Sequence, residues 1–336
     1  MRNILISGAN KGIGLAIAKK LLTDSSDTFV FIGARDQGRG DTAANGLIES
    51  NAAWRDRIEV LLLDPTSAAS VKDVSMLLLE RGVSLYGIIN NAGGFLSFSD
   101  MLDLHLYGMK RVVDAFVDLL EPGVGRIVNI SSGGAPSCVA KSRSDIRALL
   151  VRSDLSWDQI HTLAQEVQAT VASMPSDNDD EAISSVTGIS WGIRGYGFTK
   201  ALVNCYTALL QQQFPGLYVN ACNPGFIETD LSRPYAVQAG KSPAEMGMRR
   251  PEEGASVPCQ LMLGAISDSG GGGYYDCDGV RSGFDQVDPT DFDSSPEAPK
   301  QKQVERTERK ICEFQIISTI SPDLPNDCGW MCGKST

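Results

Sequence analysis

Near the middle of the chain, Tyr196 and Lys200 stand four residues apart in Tyr196-Gly197-Phe198-Thr199-Lys200. On a helix that spacing puts both side chains on one face, so phenol and ammonium share the same space. A phenol with a pKa of about 10 is a poor acid–base group at neutral pH. A neighbouring cation favours its ionised form and lowers that value, so the tyrosine could pass a proton to a carbonyl oxygen. Ser132, at the carboxyl end of an apolar run, could hydrogen-bond the same oxygen. Taken alone, a Tyr-x-x-x-Lys pair is most often a helix with one aromatic and one charged residue. Its weight comes from standing downstream of a glycine cluster and of Ser131-Ser132.

That cluster is Ser7-Gly8-Ala9-Asn10-Lys11-Gly12-Ile13-Gly14, directly after a strand-like Ile4-Leu5-Ile6. Glycines at 8, 12 and 14 permit a tight turn and a close backbone approach to a pyrophosphate. The helix that follows points its amino terminus at the negative charge. Turns use glycine too, but between a first strand and a first helix the cluster implies nucleotide binding. The second strand ends Gly33-Ala34-Arg35-Asp36-Gln37-Gly38-Arg39. An acid at this place suits the ribose hydroxyls of NAD, whereas arginine suits the extra phosphate of NADP. Arg35 and Arg39 could supply bidentate, charge-assisted contacts, so the charge logic favours NADP(H), although Asp36 blurs it.

These residues need a frame, and the first half of the chain alternates short apolar runs with helical patterns. That order marks an α/β fold of Rossmann type, a doubly wound parallel sheet of about seven strands. Strands are expected at Asn3–Ser7, Thr28–Ala34, Ile58–Asp64, Leu85–Ala92, Arg126–Ser131, Leu217–Asn223 and Gly273–Asp278. Helices are expected near Gly12–Thr23, Ser67–Arg81, Asp100–Leu120, Gly195–Gln213 and Glu252–Ala265. Between Ser132 and Tyr196 lie about sixty residues, longer than ordinary connections. They read as a helical insertion, about 136–192, beside the active site: helices near Ser144–Arg152 and Ser156–Met174, then a polar link at Pro175–Glu181. Residues 1–285 form a single domain in this reading. The 286–336 tail, rich in Asp, Pro, Ser, Glu and Lys, is expected to be disordered or loosely docked, with Ile311–Ile320 its one apolar island.

The net charge of −11 argues against a nucleic-acid-binding surface. No run of about 18 apolar residues predicts a membrane span, and since Met1-Arg2-Asn3 leads straight into a strand-like run, no secretory leader is expected. The eight cysteines are scattered, as in a protein of a reducing, cytoplasmic compartment. With only two histidines, His105 and His161, no metal site is expected; Cys312, Cys328 and Cys332 read as ordinary tail thiols.

The ordered set Ser7-Gly8-x-x-x-Gly12-x-Gly14, Asp64, Asn90-Asn91-Ala92-Gly93, Ser132, Tyr196-x-x-x-Lys200 and Asn223-Pro224-Gly225 resembles the short-chain dehydrogenase/reductase family over residues 3–285. The long insertion, Asn10-Lys11 and Ala34-Arg35-Asp36 are similar to its monomeric, NADPH-dependent carbonyl reductases. The resemblance implies reduction of a ketone, aldehyde or quinone on a small hydrophobic substrate, with Ser132, Tyr196, Lys200 and His105 as the catalytic set. It implies that Gly8, Asn10, Lys11, Gly12, Ile13 and Gly14 surround the nucleotide phosphates, with Asn10, Arg35 and Arg39 on the 2′-phosphate. Asp64 would hold the adenine, while Asn90, Ala92 and Gly93 would line the nucleotide beside the fourth strand. Tyr196 and Lys200 would meet the nicotinamide ribose, and Pro224, Gly225 and Thr229 the nicotinamide end. The insertion would cover the face that pairs many relatives into dimers, implying a monomer. Phe95, Trp191, Phe226 and Ser232–Met248 are expected to bound the substrate pocket.

One residue departs from the pattern. In Leu104-His105-Leu106-Tyr107-Gly108 the family usually has Asn where this chain has His105, and that Asn links the lysine to solvent through a water. Histidine can also donate and accept hydrogen bonds and titrates near neutrality. Three outcomes stay open: the relay is kept, its pH dependence changes, or it breaks. The last leaves an alternative function, a catalytically weak or inactive NADP(H)-binding sensor or interaction protein.

Overall fold

Apolar residues along the central strands divide strictly between two sides. The computed structural model describes residues 1–174, 179–189, 194–266 and 270–287. In β1 (Arg2–Ser7), Ile4 and Ile6 enter one hydrophobic cluster and Leu5 the other. In β2 (Thr28–Ala34), Val30 and Ile32 oppose Phe31 in the same way, since successive strand side chains point to opposite faces. Both faces are therefore buried, and each needs a layer of helices.

One face is covered by α1 (Gly12–Asp24), α2 (Gln37–Ser50) and, late in the chain, the helix Ser256–Leu263. The sheet continues with β3 (Ile58–Leu62), then α3 (Ala68–Glu80) crosses to β4 (Gly87–Asn90). Next come α4 (Phe98–Leu102), a π-helical turn (Asp103–Gly108) and α5 (Met109–Phe116), leading to β5 (Arg126–Ile130). The single helix expected over Asp100–Leu120 is thus interrupted, and the π turn carries His105.

Among the described residues, four helices run from just before the insertion through it: α6 (Gly134–Ala140), α7 (Ser144–Leu150), α8 (Trp157–Ser173) and α9 (Asp179–Thr187). Ser156 caps α8 in a reciprocal box with Gln159, as its sequence suggests. The polar link expected to run to Glu181 gives way to α9 from Asp179 onward. Then α10 (Arg194–Gln213), the helix of Tyr196 and Lys200, packs beneath the insertion. Leucine, phenylalanine and tyrosine side chains of α10 join those of α3, α5 and α8 on the second face.

After β6 (Tyr218–Cys222) come α11 (Arg233–Gln238), α12 (Pro251–Gly254) and α13 (Ser256–Leu263). The helix expected over Glu252–Ala265 is therefore two, and Pro258 falls in the first turn of α13, where its missing N–H costs nothing. β7 (Tyr274–Tyr275) is shorter than expected, and a two-residue antiparallel β8 (Arg281–Ser282) makes eight strands among the described residues, beside the expectation of about seven. The order is β3-β2-β1-β4-β5-β6-β7-β8, parallel up to the last pair. It reverses between β1 and β4, and ligands of open α/β sheets bind in the crevice outside such a reversal. No described helix is long and apolar enough to cross a membrane. Met1–Phe292 forms one unit and Asp293–Thr336 another; the second, with Ile311–Ile320 and the tail cysteines, lies outside the described residues.

Candidate active site

The reversal brings the turn after β1 against the turn after β4. Gly8 has φ +67°, and a Cβ there would come within 2.9 Å of the Ala92 Cα, so only glycine fits. A Cβ at Gly14 would overlap the Asn91 amide and the Gly8 carbonyl. Asn91 Nδ2 donates to the Ser7 and Gly8 carbonyls, both at 3.0 Å, while Ser7 Oγ accepts from the Asn91 and Ala92 N–H groups. Asn91 is thus the tie between the two turns. Asn90 behaves differently: its amide is buried and donates to Asn129 Oδ1 at 2.9 Å. Asn129 donates in turn to Thr207 Oγ1, linking β4, β5 and α10.

At the end of β2, Arg35 and Arg39 are exposed and have no carboxylate partner among the described residues. The Asp36 carboxylate caps α2 by accepting from the Arg39 backbone N–H at 2.8 Å. The acid that blurred the charge pattern is therefore occupied by a helix terminus. Asp64 Oδ1 accepts from the Thr66 backbone and hydroxyl. Asn10 is half-buried, and Gly12 faces Thr229, whose Cγ2 lies 3.4 Å from where a Cβ would stand. Lys11 pairs with Asp230 at 2.8 Å, but both side chains are 62% exposed, and such pairs open easily in solvent. Pro224 is buried, and Gly225, at φ +92°, donates its N–H to Asn223 Oδ1.

Ser132 stands two residues past the end of β5, and its Oγ accepts from the Gly134 N–H at 3.1 Å. Its hydroxyl proton is left for Tyr196, to which Ser132 is hydrogen-bonded. Lys200 Nζ donates to the Ile130 carbonyl at 2.7 Å and lies 5.8 Å from the centre of the Tyr196 ring. Burial pushes the Lys200 ammonium down to about 8 and the Tyr196 phenol up to about 12, the latter against the Ser132 hydrogen bond. The Tyr196–Lys200 spacing predicts a lowered phenol. Burial wins, because it penalises the phenolate more than the Ser132 bond favours it.

His105 is 1% exposed. Its Nε2 accepts from the Gly94 N–H at 3.2 Å, and its Nδ1 lies 3.0 Å from Thr199 Oγ1. Burial, with the Lys200 charge second, holds its pKa well below the usual imidazole range. A Cβ at Gly93 would stand 3.4 Å from that Nε2. Phe95 lies with its ring centre 4.3 Å from that of Tyr196, and Tyr235 of α11 is 5.8 Å from Phe95. Trp191, named with them as a pocket wall, lies outside the described residues. Asn91 and Thr199 carry no role of their own in the sequence, and Tyr235 enters there only as part of Ser232–Met248. For Asn91 a signal existed: it follows the last residue of a strand, so it faces away from Asn90.

A family model described as short chain dehydrogenase matches residues 2–142, which hold the glycine turn, the Asn-Asn-Ala-Gly segment and Ser132. Carbonyl reductase (NADPH) 1 of Mus musculus is 29% identical over 275 residues, covering 77% of this chain and 90% of the relative. The Homo sapiens protein of the same name is 26% identical over 279 residues, covering 77% and 90%. Among solved structures, salutaridine reductase from Papaver somniferum superimposes with a TM-score of 0.64 at 22% identity, over 82% of this chain and all of that one. Menthone neomenthol reductase from Mentha piperita gives 0.65 at 21% identity, over 82% and 98%. Over residues 2–142 the chain is similar to the short chain dehydrogenase family, and over 77% of its length to the carbonyl reductases named above.

Proposed function

We propose that this chain reduces the carbonyl group of a small hydrophobic ketone, aldehyde or quinone to an alcohol with NADPH. The observation that carries the reading is the meeting of Tyr196, Ser132 and Lys200 at the carboxyl end of β5. The buried phenol, raised to about 12, is a weak acid, yet it holds its proton at neutral pH and is a stronger acid than the alcohol it would form.

The residues present fit the nucleotide. Gly8 and Gly14 let the turn after β1 close against the turn after β4 at the sheet reversal, and Arg35 and Arg39 stand uncommitted at the end of β2, where a 2′-phosphate would be met. Gly12, Ile13 and the start of α1 would hold the pyrophosphate, Asp64 the adenine, and Pro224, Gly225 and Thr229 the nicotinamide end. When bound, NADPH supplies the hydride that the carbonyl carbon gains. The protein supplies the rest. Ser132 donates to the carbonyl oxygen and orients it, and Tyr196 Oη delivers the proton that completes the alcohol. Lys200, charged below about 8, steadies the phenolate left behind. Phe95 and Tyr235 offer an aromatic approach beside the Tyr196 ring, which supports an apolar substrate.

The test is NADPH consumption against a panel of ketones, aldehydes and quinones, with NADH run beside it. Turnover with NADPH is expected. Tight NADPH binding without turnover of any panel member would replace this reading with that of a nucleotide sensor.

We also propose a monomer. α8 and α9 pack on α10, and Trp157 meets Tyr206 of that helix edge-on at 5.6 Å, which supports a covered pairing face. Sedimentation equilibrium should return a mass near 36.0 kDa, and a mass twice that sinks the proposal.

A further inference from the structure

Both nitrogens of the buried His105 ring are committed. The Gly94 amide can only donate, so Nε2 accepts and carries no proton. Thr199 has one hydroxyl proton and donates it to the Tyr196 carbonyl 2.9 Å away. Nδ1 must therefore be the donor to Thr199 Oγ1. The three bonds agree only for a neutral imidazole with its proton on Nδ1. This ring joins two parts remote in sequence, the turn after β4 and the first turns of α10. Its plane also meets the Tyr196 ring at 88°, with centres 5.5 Å apart. The turn it grips carries Phe95, whose ring packs on Tyr196.

We propose that His105 is a positioning residue, an imidazole clamp that ties Gly94 to Thr199 and so holds Phe95 and the Tyr196 phenol in register. It does not carry protons, because neither nitrogen can gain or lose one without breaking a bond of the clamp. Among the described residues the titratable groups facing it are Lys200 and Tyr196, both from α10. The Lys200 charge opposes protonation of the ring, and burial opposes it further. The π turn fits this role, since single π turns inside α-helices are used to re-aim side chains at functional sites.

The chain has only two histidines, so nitrogen-15 labelling of histidine gives an assignable spectrum once His161→Gln is compared. His105 should show a protonated Nδ1 and a bare Nε2 at every pH from about 5 to 8. A protonated ring, or the opposite tautomer, overturns the clamp. The kinetic arm uses Thr199→Val, which removes the hydroxyl, and His105→Asn, which keeps a donor toward Thr199 but loses the reach to Gly94. Each should lower kcat by at least about tenfold, the scale of a small misplacement at a reacting centre. NADPH affinity should stay within about twofold, and the double variant should be no worse than the poorer single one. Unchanged kcat, multiplying losses, or a wild-type limb near pH 6 that vanishes in His105→Asn would each overturn it. The kinetic arm rests on the proposed reductase activity, but the spectrum does not. An inactive protein with the expected tautomer fails the reductase reading and leaves the clamp standing.

Discussion

Replacing Tyr196 by phenylalanine should lower kcat for carbonyl reduction by about a thousandfold, the range of a lost general acid, with NADPH affinity little changed. The substitution keeps the ring, its contact with Phe95 at 4.3 Å and its edge-on meeting with His105, so the pocket retains its shape. It removes Oη alone, and with it the proton and the partner of Ser132. An interaction made only in the transition state lowers kcat without touching cofactor binding. Titrating NADPH by its fluorescence and measuring single turnover separates the two, and a rate within tenfold of wild type would dismiss Tyr196 as the acid. The pH profile of the wild type reads the other half of the pair. Lys200 is charged below its depressed value of about 8 and neutral above it. Its support for the nascent phenolate is present at low pH and fades as pH rises through about 8, so kcat/KM for reduction should descend there. The phenol, raised to about 12, keeps its proton throughout and adds no limb of its own in that range.

The frame that holds this pair could be read from residues alone because strands buried on both faces, such as Ile4-Leu5-Ile6 and Val30-Phe31-Ile32, appear as unbroken apolar runs. Ser156 and Gln159 likewise announce the start of α8, since capping depends on neighbours three residues apart. What escaped depends on contacts between distant segments. The π turn at Asp103–Gly108 shifts one hydrogen-bond register within six residues, too short a span for periodicity to disclose. Gly108 there lies tight against Pro65, a contact from another part of the chain. The direction of the Tyr196 shift escaped for a related reason: spacing reveals the neighbouring lysine, whereas burial is a property of the assembled site. Asp36 is the converse case. Its sequence position suggested a ribose ligand, and only the start of α2 reveals that its oxygen is taken.

That cap makes cofactor preference testable at three neighbouring residues with two variants that behave differently. Arg35→Ala combined with Arg39→Ala should reduce kcat/KM for NADPH by about a hundredfold. The figure follows from losing two charge-assisted contacts worth about 1.5 kcal/mol each, where every 1.4 kcal/mol is about tenfold. Neither guanidinium has an ion-pair partner among the described residues to be stranded by the change, so the fold should be unaffected. The rate with NADH, which lacks the 2′-phosphate, should move by less than about threefold, because nothing in its ribose answers a guanidinium. Asp36→Ala should behave differently from both. It removes the acceptor for the Arg39 N–H and should cost about 1 kcal/mol of stability, as lost helix caps do. Its NADPH-to-NADH ratio should remain that of the wild type. If Asp36→Ala instead shifted the ratio while the double arginine variant kept it, the carboxylate would be facing the ribose in solution. The proposed preference for NADPH would then lose its basis at the end of β2.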